Sequence, residues 1–355
     1  MSDPKAAAPK ATASKAIAPQ RQAFYDRIDP MCMTPLWEVF ADLISPEPST
    51  PCRPYLWSYR EVRPYLMESG QLIDAMEAER RVLILENPGL RGQSSVTHSL
   101  YAGLQLVLPG ETAPCHRHAQ SALRLIIEGP GAFTSVDGER VFMERGDLIV
   151  TGPWSWHDHG NETNAPVVWL DGLDIPLVKF FDASFIEHHP ETAHPPGKPA
   201  GDTLATYGAN MLPVGMTHKP AVSPLFHYPY QRSREALEQM RRREEWDAHH
   251  GLKMQFVNPA TGGSAMATIS SFIQLLPKEF QTAPYRATDG TVFHVIDGEG
   301  ESVIDGKTFA WQAGDSFVVP SWNPVSHKVT EEAVLFSFSD RTVQEKLGLW
   351  HERLE

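Results

Sequence analysis

Three histidines have the residue type and spacing of a metal site. His116 and His118 lie one residue apart in the segment GETAPCHRH, and His157 follows in the segment GDLIVTGPWSWHDHGN. Side chains at positions i and i+2 of a β-strand lie on the same face, so the first pair can point together into a barrel. Three neutral imidazoles suit iron, copper, zinc or nickel and leave coordination positions open for other molecules. The sequence therefore predicts one metal ion on these three histidines.

Two further side chains are expected near this metal. Arg124 is an even number of residues from His116 and His118, so its side chain lies on their face if one strand continues through it without a bulge. Its guanidinium can then bind a carboxylate bidentately. A salt bridge on the barrel wall is the alternative role for Arg124. His159 lies two residues after His157 and therefore on the same strand face, but it is not one of the three ligands. We expect it either to contact a substrate or to be an ordinary hydrogen-bonded histidine.

The elements that must position these residues are short strands. From Ser99 onward, apolar segments such as LYAGLQLVLPG, ALRLIIEG and GDLIVTGP alternate with Gly, Pro and Asp-Gly turns and have no helices between them. That pattern is typical of a sandwich or a small barrel. The segment IIEGPGAFTSVDGERVFMERGDLIVTGPW is followed much later by the similar VIDGEGESVIDGKTFAWQAGDSFVVPSW. Two copies predict a duplicated barrel, because a solenoid needs more and closer repeats.

The second copy is expected to lack the metal site. Aligned through its glycines, it has Tyr285, Ala287 and Val325 where the first copy has its three histidines. The barrel therefore does not need histidines at these positions, which favours a chemical role for them in the first copy. His294 and His327 remain in the second copy, and we do not expect them to hold a second metal.

The predicted organisation follows from these patterns. It comprises a disordered tail at 1–20, a helical or irregular region at 21–95, the metal-binding barrel at 96–185, a linker with a helix at 186–260 and the second barrel at 261–355. The clearest helix is expected between Arg232 and His250, with Ser233 as its N-cap.

Composition excludes several classes of partner. The 355-residue chain is long enough for two domains. Its formal net charge of −13 argues against nucleic acid or an anionic membrane as a partner. No apolar run approaches a membrane span, and the Ala-, Pro- and Lys-rich beginning of the chain lacks the apolar centre of a signal peptide. The three cysteines are scattered and odd in number, which suits a reducing compartment. We therefore expect a cytoplasmic protein that binds small molecules.

The two histidine segments resemble the two motifs of the cupin family. Most cupins have a glutamate ligand shortly after the histidine pair, whereas Ala122 stands near that position here, which leaves a three-histidine site. The resemblance implies an all-β core built of two double-stranded β-helix (jelly-roll) barrels, a bicupin, with N-terminal and inter-barrel helices.

Longer segments resemble a more specific family. AERRVLILENPGLRG, LYAGLQLVLPGETAPCHRHAQSALRLIIEG, WHDHGNE and VVWLDGLDIPLVKFFDASF are similar to the gentisate 1,2-dioxygenases. These are bicupin enzymes with Fe(II) that use O2 to open gentisate (2,5-dihydroxybenzoate) between C1 and C2, giving maleylpyruvate. The resemblance extends over nearly the whole chain after the tail and implies a homotetramer. The related salicylate and 1-hydroxy-2-naphthoate dioxygenases share the core motifs, so their substrates remain alternatives. A non-catalytic cupin that binds a small acid, or a cupin with zinc or nickel, is a more distant alternative.

The resemblance also implies roles for residues around the metal. His159 would hydrogen-bond the substrate or bound oxygen, and Arg124 would clamp the substrate carboxylate. Asp171 would support the pocket from behind by pairing with an arginine, although Asp174 is the alternative inward-pointing residue. Of the two arginines in the segment EAERR, Arg80 is the better match for a contact to the substrate carboxylate or a gating contact, and a solvated charge is the alternative.

Two residues of the segment LYAGLQL are expected to select the substrate ring. Tyr101 and Gly103 alternate onto one face of the strand, and the family places residues that discriminate ring substituents there. Tyr101 resembles the gentisate-type enzymes, in which a phenol meets the 5-hydroxyl group. Gly103 is smaller than the alanine common in that family, so it could admit other rings. Together these residues favour gentisate.

Overall fold

The computed structural model describes residues 17–355. The chain divides into two compact units, Met1–Ser49 and Thr50–Glu355. In the described part of the first unit, a short 3-10 turn separates two helices: α1 (Pro19–Ile28) and α2 (Leu36–Leu43). Residues 1–16 of the predicted disordered tail lie outside the described residues, and α1 already begins within its last residues.

The first barrel consists of a six-stranded and a five-stranded antiparallel sheet. The strands are β2 (Val82–Ile84), β3 (Tyr101–Val107), β4 (Thr112–His118), β5 (Ala122–Glu128), β6 (Phe133–Val136), β7 (Glu139–Phe142), β8 (Leu148–Thr151), β9 (His157–Gly160), β10 (Val167–Leu173), β11 (Ile186–His188) and β12 (His227–Tyr228). The larger sheet has the order β12-β8-β5-β10-β3-β2, and the smaller has the order β11-β4-β9-β6-β7. The histidine strands β4 and β9 are therefore neighbours in the smaller sheet.

The second barrel repeats this plan. Its strands are β1 (Tyr55–Trp57), β13 (Leu252–Gln255), β14 (Ser270–Leu276), β15 (Tyr285–Ala287), β16 (Thr291–Asp297), β17 (Glu299–Ile304), β18 (Lys307–Gln312), β19 (Ser316–Val319), β20 (Val325–Lys328), β21 (Ala333–Ser339) and β22 (Glu352–Leu354). The sheet orders are β1-β19-β16-β21-β14-β13 and β18-β17-β20-β15-β22. The predicted bicupin with an all-β core is confirmed. Strand β1 comes from the predicted N-terminal region yet lies in the second barrel, so the barrels also recruit strands from outside the repeats.

The helices of the second unit lie between and after the strands. They are α3 (Tyr59–Leu72), α4 (Ala75–Ala78), α5 (Ile175–Phe180), α6 (Asp202–Tyr207), α7 (Tyr230–Arg241) and α8 (Arg341–Leu347). No helix within residues 17–355 is both long enough and apolar enough to span a membrane.

A Gly-Asp corner in each barrel holds a helix from elsewhere in the chain. In the first barrel, Asp147 Oδ1 accepts the backbone N–H of Tyr230, the first residue of α7, at 2.8 Å. In the second barrel, Asp315 Oδ1 accepts the backbone N–H of Tyr59, the first residue of α3, also at 2.8 Å. Gly146 has φ +85°, and a Cβ there would lie 2.6 Å from Cγ of Tyr230. The repeated glycines thus serve helix docking as well as the turns themselves.

The same two helices link the barrels to each other. The Tyr59 hydroxyl donates to Glu128 of the first barrel at 2.7 Å, and Arg63 binds both oxygens of that carboxylate. The Tyr230 hydroxyl donates to Asp297 of the second barrel at 2.6 Å. Each helix is therefore capped by one barrel and hydrogen-bonded to the other.

The helix expected between Arg232 and His250 differs from the observed helix α7. Pro229 precedes its first residue as N-cap, so Ser233 is not the N-cap but lies inside the helix. The helix stops before Glu244, which adopts a left-handed φ of 53°. The following residues form a turn around Asp247, whose carboxylate accepts the backbone N–H groups of two residues. These side-chain hydrogen bonds replace the ones that a longer helix would provide.

Candidate metal centre

The three predicted ligands meet inside the first barrel. His116 and His118 lie on β4, and His157 faces His116 from the neighbouring strand β9, with a register shift between Ala113 and His116. One nitrogen from each ring lies within 4.8 Å of the others. Within residues 17–355, this is the only group of three or more potential ligands close enough to share an ion. The donor set has the composition and convergence of a three-histidine metal site.

Hydrogen bonds fix the ring orientation of two of the ligands. His118 Nδ1 donates to the carbonyl of Gln120 at 2.9 Å, and His157 Nδ1 donates to the carbonyl of Ser155 at 2.9 Å. Both rings therefore keep Nε2 as a free acceptor, and His157 Nε2 is buried without a hydrogen-bond partner. Backbone carbonyls commonly orient metal-binding histidines in this way. A buried, unpaired imidazole nitrogen is the local observation that fits a metal.

The ligands are held in their neutral form. Burial, followed by the positive charge of Arg124, lowers the pKa of His118 to about 4. The same two causes hold the pKa of His157 well below its ordinary value. Neutral imidazole is the form that coordinates metal, so the rings are prepared for an ion near neutral pH.

Arg80 lies directly against the third ligand. Its Nη2 donates to the carbonyl of Pro114 at 2.9 Å and lies 3.1 Å from Nδ1 of His116. Burial and the nearby Arg124 lower the pKa of Arg80 to about 10. The neighbouring Arg81 instead forms a bidentate ion pair with Glu111 at 2.6 and 2.8 Å. The structure therefore places Arg80 in the pocket and Arg81 in a buried structural pair.

Arg124 reaches the site from the opposite sheet. The assumption of one continuous strand through it is wrong, because β4 ends at His118 and Arg124 lies on β5. Its Nη1 donates to Thr151 at 2.9 Å, and its Nε lies 3.7 Å from Asp171 Oδ1. The Nε–H has no hydrogen-bond acceptor. This guanidinium is 4% exposed, so it is a strong binding group for a carboxylate in the barrel interior.

Asp171 and Asp174 have separate roles. Asp171 lies opposite Arg124 in the sheet and accepts the indole N–H of Trp169 at 3.0 Å. Burial raises the pKa of Asp171 to about 6, and Arg124 opposes this rise. Asp174 accepts the backbone N–H of Ser121 at 2.9 Å and a bond from the Thr268 hydroxyl. Asp171 thus pairs with the pocket arginine, and Asp174 closes the end of the barrel.

His159 lies beside the ligands and has one ring nitrogen without a hydrogen-bond partner. Its Nδ1 lies 2.9 Å from the Thr134 hydroxyl, which in turn lies 3.2 Å from the Met143 sulfur as a donor. A hydroxyl has one proton, so a Thr134 that donates to sulfur accepts the Nδ1–H of His159. His159 Nε2 is then a buried acceptor without a partner. Its ring centre lies 5.7 Å from that of His157, which places it beside the metal ligands.

The Tyr101 side chain contacts Gly103, so this glycine does not provide the extra space that its small size suggested. A Cβ on Gly103 would lie 2.9 Å from the Tyr101 hydroxyl and 2.4 Å from Cγ1 of Val82. The space beside Gly103 is therefore already filled by Tyr101 and Val82 and does not enlarge the pocket. Burial, with a contribution from Asp171, raises the pKa of Tyr101, so its hydroxyl keeps its proton.

The sequence did not identify three supporting residues: Thr134, Thr151 and Trp169. Thr134 and Thr151 hydrogen-bond His159 and Arg124 from neighbouring strands, whereas Trp169 bonds Asp171 on its own strand. Thr151 lies diagonally across from Arg124, because Arg124 pairs with Ile149 in the sheet. Alternation along each strand would place them inside the barrel, but only the register shows which partner each one meets.

The second barrel has lost the metal ligands and kept part of their surroundings. Tyr285 pairs with Val325 where His116 pairs with His157 in the first barrel. His327 Nδ1 lies 2.8 Å from the Ser302 hydroxyl, in the same arrangement as His159 and Thr134. The duplication is therefore visible in the hydrogen bonds as well as in the glycines.

Comparisons with known proteins agree with this architecture. The Cupin domain family model matches residues 103–173 and 271–338, one match in each barrel. Gentisate 1,2 dioxygenase 1 of Aquipseudomonas alcaligenes is 56% identical and covers 96% of this chain and 98% of its own. The 5-aminosalicylate 1,2-dioxygenase of Comamonas sp. is 38% identical and covers 90% of this chain and 87% of its own. The salicylate 1,2-dioxygenase of Pseudoaminobacter salicylatoxidans, solved as adducts with gentisate, has a TM-score of 0.91 at 32% identity and covers 98% of this chain and 97% of its own.

The duplicated cupin barrel and its three-histidine centre define an oxidoreductase of the ring-cleaving dioxygenase class. More narrowly, the chain belongs to the gentisate 1,2-dioxygenase family. The resemblance stated from the sequence segments is confirmed.

Proposed function

We propose that this protein opens the ring of gentisate between C1 and C2 with O2, giving maleylpyruvate, and that it uses Fe(II). The observation that carries the proposal is the convergence of three neutral histidines in the barrel interior, close to the buried guanidinium of Arg124, which lowers the pKa of His118 and His157. The relative of 56% identity bears the name gentisate 1,2 dioxygenase 1.

The proposed iron ligands are His116, His118 and His157. The convergence of the three rings and the unpaired Nε2 of His157 fit a divalent first-row metal, and Ala122 near the usual glutamate position contributes no carboxylate. Bound ferrous iron would bring the substrate oxygens and O2 together and allow electrons to pass between them. All other roles fall to side chains of the barrel.

Arg124 is proposed to bind and orient the substrate carboxylate. Its guanidinium is buried, always charged and held on one side by Thr151 and Asp171, so it does not have to be ordered when the substrate arrives. Arg80 is the second cation of the pocket and lies against His116. It is proposed to contact the same carboxylate from the opposite side.

His159 and Tyr101 are proposed to act on the ring hydroxyl groups. His159 Nε2 is an acceptor that has no protein partner, so it can accept a hydrogen bond from a substrate hydroxyl. Tyr101 keeps its phenolic proton and can meet the 5-hydroxyl of gentisate. Val82 and Tyr101 fill the space beside Gly103, so that space is not available to a substrate with a larger ring. Salicylate and 1-hydroxy-2-naphthoate remain the alternative substrates, since both offer the same carboxylate and adjacent hydroxyl.

The test combines anaerobic substrate binding with oxygen. Purified chain is loaded with Fe(II) without air, gentisate is added, and air-saturated buffer is then mixed in. We expect one O2 consumed per gentisate and a ring-opened product that absorbs in the near ultraviolet. His118→Ala is the matched variant, and wild-type iron content and O2 uptake in it would refute the ligand assignment. A panel with salicylate and 1-hydroxy-2-naphthoate decides the substrate, because preferred turnover of either would overturn the choice of gentisate.

Assembly and location complete the proposal. We propose a homotetramer in the cytoplasm. Cys32, Cys52 and Cys115 are all free thiols, which suits a reducing compartment. Light scattering after size exclusion is expected to give four times the chain mass of 39.6 kDa, and a monomer mass would refute the tetramer.

A further inference from the structure

The second barrel contains a cavity at the place where the first barrel holds its metal ligands. Its volume is about 280 Å³. The three residues that replace the histidines, Tyr285, Ala287 and Val325, all line it. Ala287 and Val325 are smaller than the histidines at the matching positions, which leaves room in the barrel. The loss of the metal site therefore left an open interior.

A lysine enters this cavity from the outermost strand of the larger sheet. Lys253 lies on β13, the counterpart of β2 in the first barrel. Its Nζ lies 4.8 Å from the ring centre of Phe272 and 5.9 Å from that of Phe293. Within residues 17–355, no carboxylate lies within ion-pair distance of Nζ and no acceptor hydrogen-bonds to it. A mostly buried ammonium that lies over two aromatic rings and has no hydrogen-bond acceptor is costly unless a ligand supplies acceptors.

A second cation lies on the wall of the same cavity. The guanidinium of Arg341 stacks on the Trp350 ring at 3.9 Å. Its Nε donates to Glu345 at 2.8 Å, which leaves the outer N–H groups available. Guanidinium groups bind carboxylates through such paired donors. The cavity thus has two cationic donors with unused hydrogen-bonding capacity.

The cavity also contains two acidic groups, of which Asp289 has hydrogen-bond partners. Asp289 accepts the indole N–H of Trp350 at 2.9 Å and lies 3.5 Å from the Thr291 hydroxyl. Glu352 lies 3.8 Å from the imidazole of His250, beyond hydrogen-bond distance, and burial keeps that imidazole neutral by lowering its pKa to about 3. The unused hydrogen-bonding capacity of Lys253 and Arg341 is that of N–H donors. A ligand that complements it must carry acceptor oxygens with negative charge.

The rest of the wall is suited to a carbon skeleton. Phe272, Val319 and Val325 line the cavity beside the cationic groups. A volume of about 280 Å³ lies just below the range of about 300–1,000 Å³ for ligand pockets. The cavity therefore fits a small molecule.

We propose that the second barrel is a binding site for a small organic carboxylate, held by Lys253 and Arg341 with its carbon skeleton against Phe272 and Val325. The site does not depend on the reaction of the first barrel. Burial also lowers the pKa of Lys253 to about 8, with Asp289 opposing this change. Binding of an anion would favour the charged ammonium, so ligand and proton are taken up together at mildly alkaline pH.

The test is calorimetric titration of the full chain with benzoate, and with succinate and acetate as further probes. Arg124→Met removes the carboxylate clamp of the first barrel, so binding that remains in this variant reports on the second. We expect one benzoate site per chain to remain there. Adding Lys253→Met or Arg341→Met is expected to weaken it about tenfold or more. Adding Lys278→Met, at an exposed lysine paired with Glu331, is the matched control and should change nothing.

Two outcomes would overturn the proposal. One is that the Arg124→Met chain binds none of the three carboxylates at millimolar concentration. The other is that Lys253→Met and Arg341→Met leave the remaining site unchanged. Oxygen uptake with gentisate, measured on Lys253→Met alone, separates this proposal from the proposed function. It should stay at the wild-type value, because Lys253 is outside the first barrel.

Discussion

Replacing Arg124 and Asp171, singly and together, separates their contribution to stability from their contribution to the reaction. The two side chains are 5% and 7% exposed, and Nε of Arg124 lies 3.7 Å from Oδ1 of Asp171. Removing one partner of a buried pair leaves the other charge uncompensated and costs about 3–5 kcal/mol, whereas replacing both is often nearly neutral. Asp171→Asn should cost about 3 kcal/mol in the free energy of unfolding, at the low end of that range because the two atoms are not in hydrogen-bond contact.

Arg124→Met should cost less than Asp171→Asn. Asp171 can take up a proton when its partner is removed, because burial already raises its pKa to about 6. A guanidinium has no such escape. The double variant should return to within about 1 kcal/mol of wild type, since no buried charge is left unpaired.

Catalysis should respond differently from stability. A hydrogen bond to a charged group contributes about 1.5–3 kcal/mol, which corresponds to roughly 10- to 100-fold in kcat/KM for gentisate. Arg124→Met should lose at least this factor, and the double variant should be no better, although it is folded more stably than Asp171→Asn. Recovery of stability without recovery of activity is the expected signature.

The assays are urea unfolding of the metal-free chain followed by circular dichroism, and O2 uptake of the Fe(II)-loaded chain. The exposed pair Lys278 and Glu331, replaced in the same way, is the control and should change unfolding by less than about 1 kcal/mol. The reasoning is refuted if the losses of stability simply add in the double variant, or if the double variant keeps the wild-type kcat/KM.

Three further predictions concern single contacts. Gly103→Ala should lower kcat/KM for gentisate about tenfold or more, because its Cβ would lie 2.4 Å from Val82 Cγ1, and adding Val82→Ala should restore much of the activity; no rescue would count against this contact as the cause. Thr134→Val should lower kcat about tenfold while leaving iron content unchanged, because it removes the partner that orients His159; loss of iron would point to a structural role instead. Burial raises the pKa of Asp340 to about 6, so its contribution to stability is present below about pH 4 and is lost as the pH rises through about 6, on the order of 3 kcal/mol. Asp340→Asn should flatten the slope of unfolding free energy over this window, and an unchanged slope would exclude Asp340 as its source.

Local sequence patterns were sufficient for the fold class and the metal ligands. Alternation of apolar residues and Asp-Gly turns predicted the strands, because strand periodicity is a property of consecutive residues. The HxH spacing and the matching positions in the second copy predicted the three histidines for the same reason. The family resemblance supplied further site residues, among them Asp171, which alternation along one strand cannot distinguish from an ordinary buried acid.

Other features depend on partners that are far apart in the chain. The parity argument for Arg124 assumed a continuous strand, yet the chain crosses to the other sheet after His118 and reaches the same interior from there. Helix α7 ends earlier than its composition indicates, because Asp247 offers the backbone a competing turn. Gly103 appeared to enlarge the pocket, but Val82 from another strand occupies the space.

The sequence by itself determined the duplicated barrel, the three histidines and the absence of these ligands from the second copy. All of these depend on residue type and short-range spacing. Only the tertiary structure decided which side chains meet: Arg80 rather than Arg81 at His116, Thr134 behind His159, and Lys253 in the cavity of the second barrel. The physical reason is that sheet register and strand exchange between distant segments set these contacts, and neither is encoded in the spacing of neighbouring residues.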